Sequence, residues 1–105
     1  MARFLFEVSY TLDGARGIAK QGGTSRREFV EKMVGGLGGR LTSFDFAFGD
    51  NDVYVTADLP DNSTAAALSI AVAGSGAARV KTVVLLSPEE FDQAAKTQVG
   101  YRPPG

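Results

Sequence analysis

Six residues spread along the chain, Glu7, Tyr10, Asp45, Tyr54, Arg79 and Lys81, have the types to hold a small polar ligand. Carboxylates exchange protons when burial raises their pKa, and phenols donate to oxyanions. Arginine and lysine hold anions or pair with those carboxylates. A second group is contiguous: Gly23-Thr24-Ser25-Arg26-Arg27. Glycine lets backbone approach closely, a helix start offers unpaired N–H groups, and two arginines add positive charge, which are the parts of an anion site. The segment follows no strand and lacks the lysine of a P-loop, so nucleotide hydrolysis is not expected of it. An ordinary helix start with two solvated arginines accounts for the same residues. Asp50-Asn51-Asp52 presents oxygen ligands in a tight loop, but the loop is too short for an EF-hand and lacks its closing glutamate. Turn residues that bond their own backbone explain it better, and no metal is expected.

The absences are as informative. The chain contains no histidine and no cysteine. Catalytic triads, haem ligation by histidine, thiolate nucleophiles, disulfides and ordinary zinc sites are thereby excluded, and no cofactor is expected. Lysine and arginine number 11 against 12 acidic residues, a net charge of −1, which argues against a nucleic-acid partner. No apolar run approaches the ~20 residues that span a bilayer, so no membrane partner is expected. Met1-Ala2-Arg3-Phe4-Leu5-Phe6 leads straight into a strand pattern and then Glu7, unlike a signal peptide, so the cytoplasm is the expected compartment. A length of 105 residues suits one domain, residues 1–105, with 98–105 as an extended tail.

Those candidate groups must be positioned by the elements between them. Residues 3–10 alternate as a strand, with Phe4, Phe6, Val8 and Tyr10 on one side and Leu5, Glu7 and Ser9 on the other. Residues 11–23 hold loose helical spacing weakened by Gly14 and Gly17, which predicts a short helix or helical turn. Ser25 and Glu28 have capping-box spacing at the head of a helix over 25–37, with Phe29, Val30, Met33, Val34 and Leu37 on one stripe. Residues 40–48 and 53–59 read as a hairpin around a four-residue turn, with Phe48 opposite Val53, Phe46 opposite Val55 and Phe44 opposite Ala57. Asp61 or Ser63 caps an alanine-rich helix that runs to about 73 and is apolar nearly all round, as a deeply buried helix would be. Residues 77–86 form the fourth strand. Ser87-Pro88-Glu89-Glu90 opens a final helix with a second capping box and proline at its first position.

The order strand, helix, strand, strand, helix, strand, then helix predicts an α+β fold of split β-α-β type, a four-stranded antiparallel sheet with helices on one face. The covered face takes the phenylalanines and valines. The open face takes Leu5, Glu7, Ser9, Asp45, Tyr54, Thr56, Asp58, Arg79, Lys81, Val83 and Leu85, with Glu7 in reach of Arg79 or Lys81. A face so mixed suits water, or a second copy of itself enclosing a partly polar cleft.

Four segments carry a family likeness: Phe6-Glu7-Val8-Ser9-Tyr10-Thr11, Gly22-Gly23-Thr24-Ser25-Arg26-Arg27, Phe48-Gly49-Asp50-Asn51-Asp52-Val53 and Tyr101-Arg102-Pro103-Pro104-Gly105. On these the chain resembles, essentially end to end, the GYD-domain family of small bacterial proteins. The resemblance implies a ferredoxin-like α+β fold that associates as a dimeric α/β barrel, and it implies no particular reaction. Asn51 stands where the family usually places the tyrosine of its Gly-x-Tyr-Asp signature, so that aromatic contact does not carry over. The leading expectation is a homo-oligomer, a dimer or higher, with a small-molecule ligand at the open sheet face. A cofactor-independent enzyme of the dimeric-barrel type, a monooxygenase or isomerase, is the alternative by fold analogy, and a purely structural assembly module is the third.

Overall fold

The computed structural model describes all 105 residues. Two interior strands organise the sheet: β1 (Ala2–Tyr10) and, antiparallel beside it, β3 (Val53–Leu59). The edges are β2 (Arg40–Phe46), paired with β3, and β4 (Ala78–Leu85), paired with β1. The resulting order is β2-β3-β1-β4, with every pairing antiparallel. Four helices complete the chain: α1 (Leu12–Gln21), α2 (Gly23–Gly36), α3 (Asn62–Gly74) and α4 (Pro88–Lys96).

Alternation sorts the side chains as strand geometry requires. In β3 every odd residue from Val53 to Leu59 is buried, and Tyr54, Thr56 and Asp58 are half-buried on the opposite face. Phe4 and Phe6 of β1 join that buried set, closed over by Val30 and Val34 of α2 and by Ala65 and Leu68 of α3. Each valine, leucine or phenylalanine of this set taken from water contributes roughly 1.5–3 kcal/mol, so this single face fixes the parity of the whole sheet.

The hairpin departs from its expected register. The pairs are Phe46 with Val53 and Phe44 with Val55, two residues out from the expected ones. Parity survives, and Phe44 and Phe46 meet edge to face at 5.4 Å on the helix side. Phe48, however, lies beyond the strand and is fully exposed. The reason is the connection: residues 47–52 form a six-residue loop, closed by Ala47 N–H donating to the Asp52 carbonyl at 2.8 Å. Farther back, Leu41 pairs with Ala57 and Ser43 with Thr56, leaving Thr42 as the extra residue of a bulge. Its hydroxyl donates to the Thr56 carbonyl at 2.7 Å.

The helices bring three further corrections. The segment after β1 is a full ten-residue helix despite two glycines. Thr11 caps it by accepting from Gly14 N–H at 3.2 Å, and Gly14 lies so close to the Ala77 carbonyl that no side chain would fit. Next, α2 starts at Gly23 directly from the Gly22 hinge (φ +90°), so Ser25 lies inside the helix and the expected box with Glu28 does not form. Finally, α3 buries only Ala65 and Leu68, and Ile70 faces outward with 72% of its surface exposed. The expected caps at Asp61 and at Ser87 with Glu90 are present.

Beyond β4 the chain leaves the body. Every residue of α4 and of the tail is exposed, including Phe91 and Tyr101. The radius of gyration is 16.5 Å, against about 13 Å for a compact domain of this length. No helix is long and apolar enough to cross a membrane.

Candidate functional site

The open face of the sheet changes character along the strands. At the end nearest the start of β1, Arg3 and Arg40 both pair with Asp58, at 2.9 and 3.4 Å. The hydrogen bond from Arg3, helped by the charges of both arginines, holds the Asp58 carboxyl below the usual carboxylate range against the opposing effect of burial. The middle is apolar: Leu5 sits between Thr56 and Val83, with Leu85 one step along β4. The far end is polar and concave.

That concave end is a hollow of about 700 Å³ whose polar walls are Glu7, Ser9, Asp50, Asn51, Tyr54, Arg79 and Lys81. Strand register puts three of these in one row, since Glu7 pairs with Tyr54 on one side and with Lys81 on the other. Ser9 and Arg79 form the next row. The loop supplies Asp50 and Asn51. Asp52 pins it to the end of β1, its N–H donating to the Val8 carbonyl and its carboxylate accepting from Tyr10 N–H, both at 2.8 Å. Asn51 is thereby held over the hollow. Its amide donates to Glu7 Oε1 and to the Tyr54 hydroxyl, each at 3.3 Å, and its Oδ1 accepts from Ser9 at 3.1 Å.

The cations behave differently from expectation. Glu7 stands opposite Lys81 in register but makes no ion pair with it or with Arg79; its partner is the Asn51 amide. Both ion pairs of the chain end on Asp58, so Arg79 and Lys81 face the hollow with no carboxylate within 4.0 Å. Chemically, the two cations can attract an anionic group, and Glu7, Ser9 and Asn51 can bond hydroxyl or amide groups.

Two of the six expected residues lie elsewhere. Asp45 shares the row, opposite Tyr54, but stands on the outer strand β2, exposed and outside the hollow. Tyr10 is on the other face altogether, in step with Phe4, Phe6 and Val8, and lines an apolar cavity under the helices. Ser9, Asp50 and Asn51 line the hollow without having been named among the six. Ser9 shares parity with Glu7, which placed it on this face, whereas Asn51 was read with Asp50 and Asp52 as a turn residue bonding its own backbone.

The contiguous anion group is not assembled. Gly23 is there because the Phe46 ring packs against it, and a Cβ would stand 2.8 Å from that ring. Thr24, Ser25 and Arg27 are exposed, while Arg26 turns inward and stacks over the Phe29 ring at 4.9 Å from its centroid. Successive residues of a helix point about 100° apart, and here the two adjacent arginines lie in different surroundings. Asp50-Asn51-Asp52 serves as a backbone anchor, and no three acidic residues gather as a metal site would need.

The family model of the GYD domain matches residues 4–95, and the chain belongs to that family. No curated protein and no solved structure matches it.

Proposed function

We propose that this GYD-family chain is a ferredoxin-like module that pairs with a second copy through its open sheet face, closing the polar hollow over a small ligand. The strand order, read from the β4 edge as β4-β1-β3-β2, supports the ferredoxin-like description, with β3 interleaved between β1 and β2. The observation that carries the pairing is the unpartnered C-terminal extension. Phe91, Ala94 and Ala95 share one stripe of α4, and nothing in the chain covers it. An amphipathic helix held away from its own domain gains its stability from another surface.

Areas agree with this reading. Four strands about 4.8 Å apart and seven residues long make roughly 450 Å² of flat sheet. A stable pair covers about 800 Å² on each partner. The sheet alone falls short, and α4 with the tail supplies the remainder. The apolar centre at Leu5, Val83 and Leu85 forms the dry part of the contact, and Arg79 and Lys81 await a charge from the ligand.

Static light scattering on the purified chain tests the pairing. The expected mass at micromolar concentration is twice the 11.0 kDa of one chain, and Val83→Glu returns it to one chain with an unchanged circular dichroism spectrum. A wild-type chain that stays single overturns the proposal. A thermal-shift screen of small carboxylates and phosphates tests the ligand, since binding to the native state raises its melting point. Arg79→Gln abolishes the shift; a shift that survives it places the ligand elsewhere.

A further inference from the structure

We infer that the apolar cavity between α2 and α3 is a binding site for a small amphiphile with an apolar body and one carboxylate head. This site lies on the opposite face of the sheet from the hollow and does not depend on pairing. The two helices lean apart, α2 against β2 and α3 against β4. Over the middle of the sheet they leave a cavity of about 410 Å³, within the size range of small-molecule sites. Its floor is Phe6 and Val8, one wall is Phe29 and Met33, and the other is Leu68 and Val72. Of seventeen lining residues only Arg26 and Ser75 are not hydrophobic, and the Ser75 hydroxyl is occupied in donating to the Val72 carbonyl at 2.7 Å. An apolar cavity of this kind favours an apolar guest over water.

The polar equipment is one-sided. Arg26 carries a guanidinium with five donors and no ion-pair partner, because both ion pairs of the chain end on Asp58. Its place over the Phe29 ring holds it at the cavity, where one of its N–H groups is directed at the Tyr10 hydroxyl and the others remain for a ligand. Beside it is Tyr10, whose phenol pKa burial pushes up against the charge and hydrogen bond of Arg26, so its hydroxyl keeps its proton and can donate. The carboxylate near Tyr10, that of Asp52, is engaged with the Tyr10 backbone N–H at 2.8 Å. Two donors and one uncompensated positive charge beside an apolar chamber fit a carboxylate head on an apolar body. A guanidinium fork grips such a head through two parallel hydrogen bonds.

Isothermal titration calorimetry with decanoate, decanol and decylammonium, each below its micelle concentration, tests the assignment. Decanoate binds one equivalent per chain at least about tenfold more tightly than decanol, and decylammonium binds weakest. Along hexanoate, octanoate and decanoate, affinity rises about fourfold for each methylene until the cavity is full. Arg26→Gln removes the advantage of decanoate and leaves decanol unchanged. Arg27→Gln, the same loss of charge one residue along, changes neither. Equal binding of acid and alcohol, or equal effects of the two arginine substitutions, overturns the carboxylate assignment. Absence of saturable binding by any of the three overturns the site itself.

Discussion

Two glycines three residues apart in α1 should answer the same substitution with opposite signs. Gly17 is exposed, and a Cβ built on it meets nothing within 4 Å. Gly17→Ala therefore gains helix propensity and nothing else, a stabilisation of about 0.5–1 kcal/mol. At Gly14 the same carbon would fall inside the Ala77 carbonyl group, whose carbon would be only 2.9 Å away. That carbonyl cannot simply swing aside, because it accepts from Thr11 N–H at 3.0 Å and so ties the head of α1 to the start of β4. So deep an overlap with backbone lies at the upper end of overpacking costs, about 3 kcal/mol, and the propensity gain offsets about 0.5–1 kcal/mol of it, so Gly14→Ala destabilises by about 2 kcal/mol. Urea unfolding of both variants at unchanged m-value reads the difference directly. On heating, the melting point rises by about 2–8 °C for Gly17→Ala and falls for Gly14→Ala. Stabilisation by both would refute the close packing of α1 on the Gly76–Ala77 turn.

Other consequences are as direct. Asp52→Ala removes the carboxylate that accepts from Tyr10 N–H and costs about 1.5–3 kcal/mol in urea unfolding, whereas Asp52→Asn keeps an acceptor oxygen and costs less. Because the Asp58 carboxyl is held below its unfolded value near pH 3.9, its contribution is complete above that pH and is lost as pH falls through the lowered folded value. Stability measured against pH should thus have a shallower acid limb in Asp58→Asn than in the parent chain. Phe4, only 1% exposed, anchors the core, and Phe4→Ala should cost about 3–5 kcal/mol by denaturant titration.

Much of this architecture was legible in the sequence because burial on one face leaves little freedom. The alternation in β1 and β3 is strict, and a one-residue slip would expose Phe4 and Phe6, so both faces could be assigned from residue types alone. Caps at Asp61 and Ser87 are local hydrogen bonds between near neighbours, written in a few residues. What escaped depends on distant contacts. The loop at 47–52 is six residues long because Asp52 bonds to β1, a partner more than forty positions away in the chain. Without that tie a four-residue turn with Phe48 in the sheet looks equally sound. In the same way α1 survives Gly14 because Ala77 packs there, and the start of α2 follows the Gly22 hinge rather than the Ser25 box. Of the residues that line the hollow, Glu7, Tyr54, Arg79 and Lys81 share the face that parity assigns them. Tyr10 belongs by parity with Phe4, Phe6 and Val8, and grouping it with the polar residues set its hydroxyl above its place in the strand. Asn51 was hidden because a side chain on a loop has no periodicity to betray it.

Methyl NMR with a soluble paramagnetic gadolinium chelate most directly tests whether a second copy covers the open sheet face. Leu5, Val83 and Leu85 report on that face, and Ile70, on the outer side of α3, reports on an uncovered surface. In a single chain Val83 would still be 38% exposed and would relax with the probe. Pairing through the sheet predicts that Leu5, Val83 and Leu85 are protected while Ile70 relaxes strongly. Strong relaxation at Leu5 and Val83, with or without protection of Ile70, would contradict it.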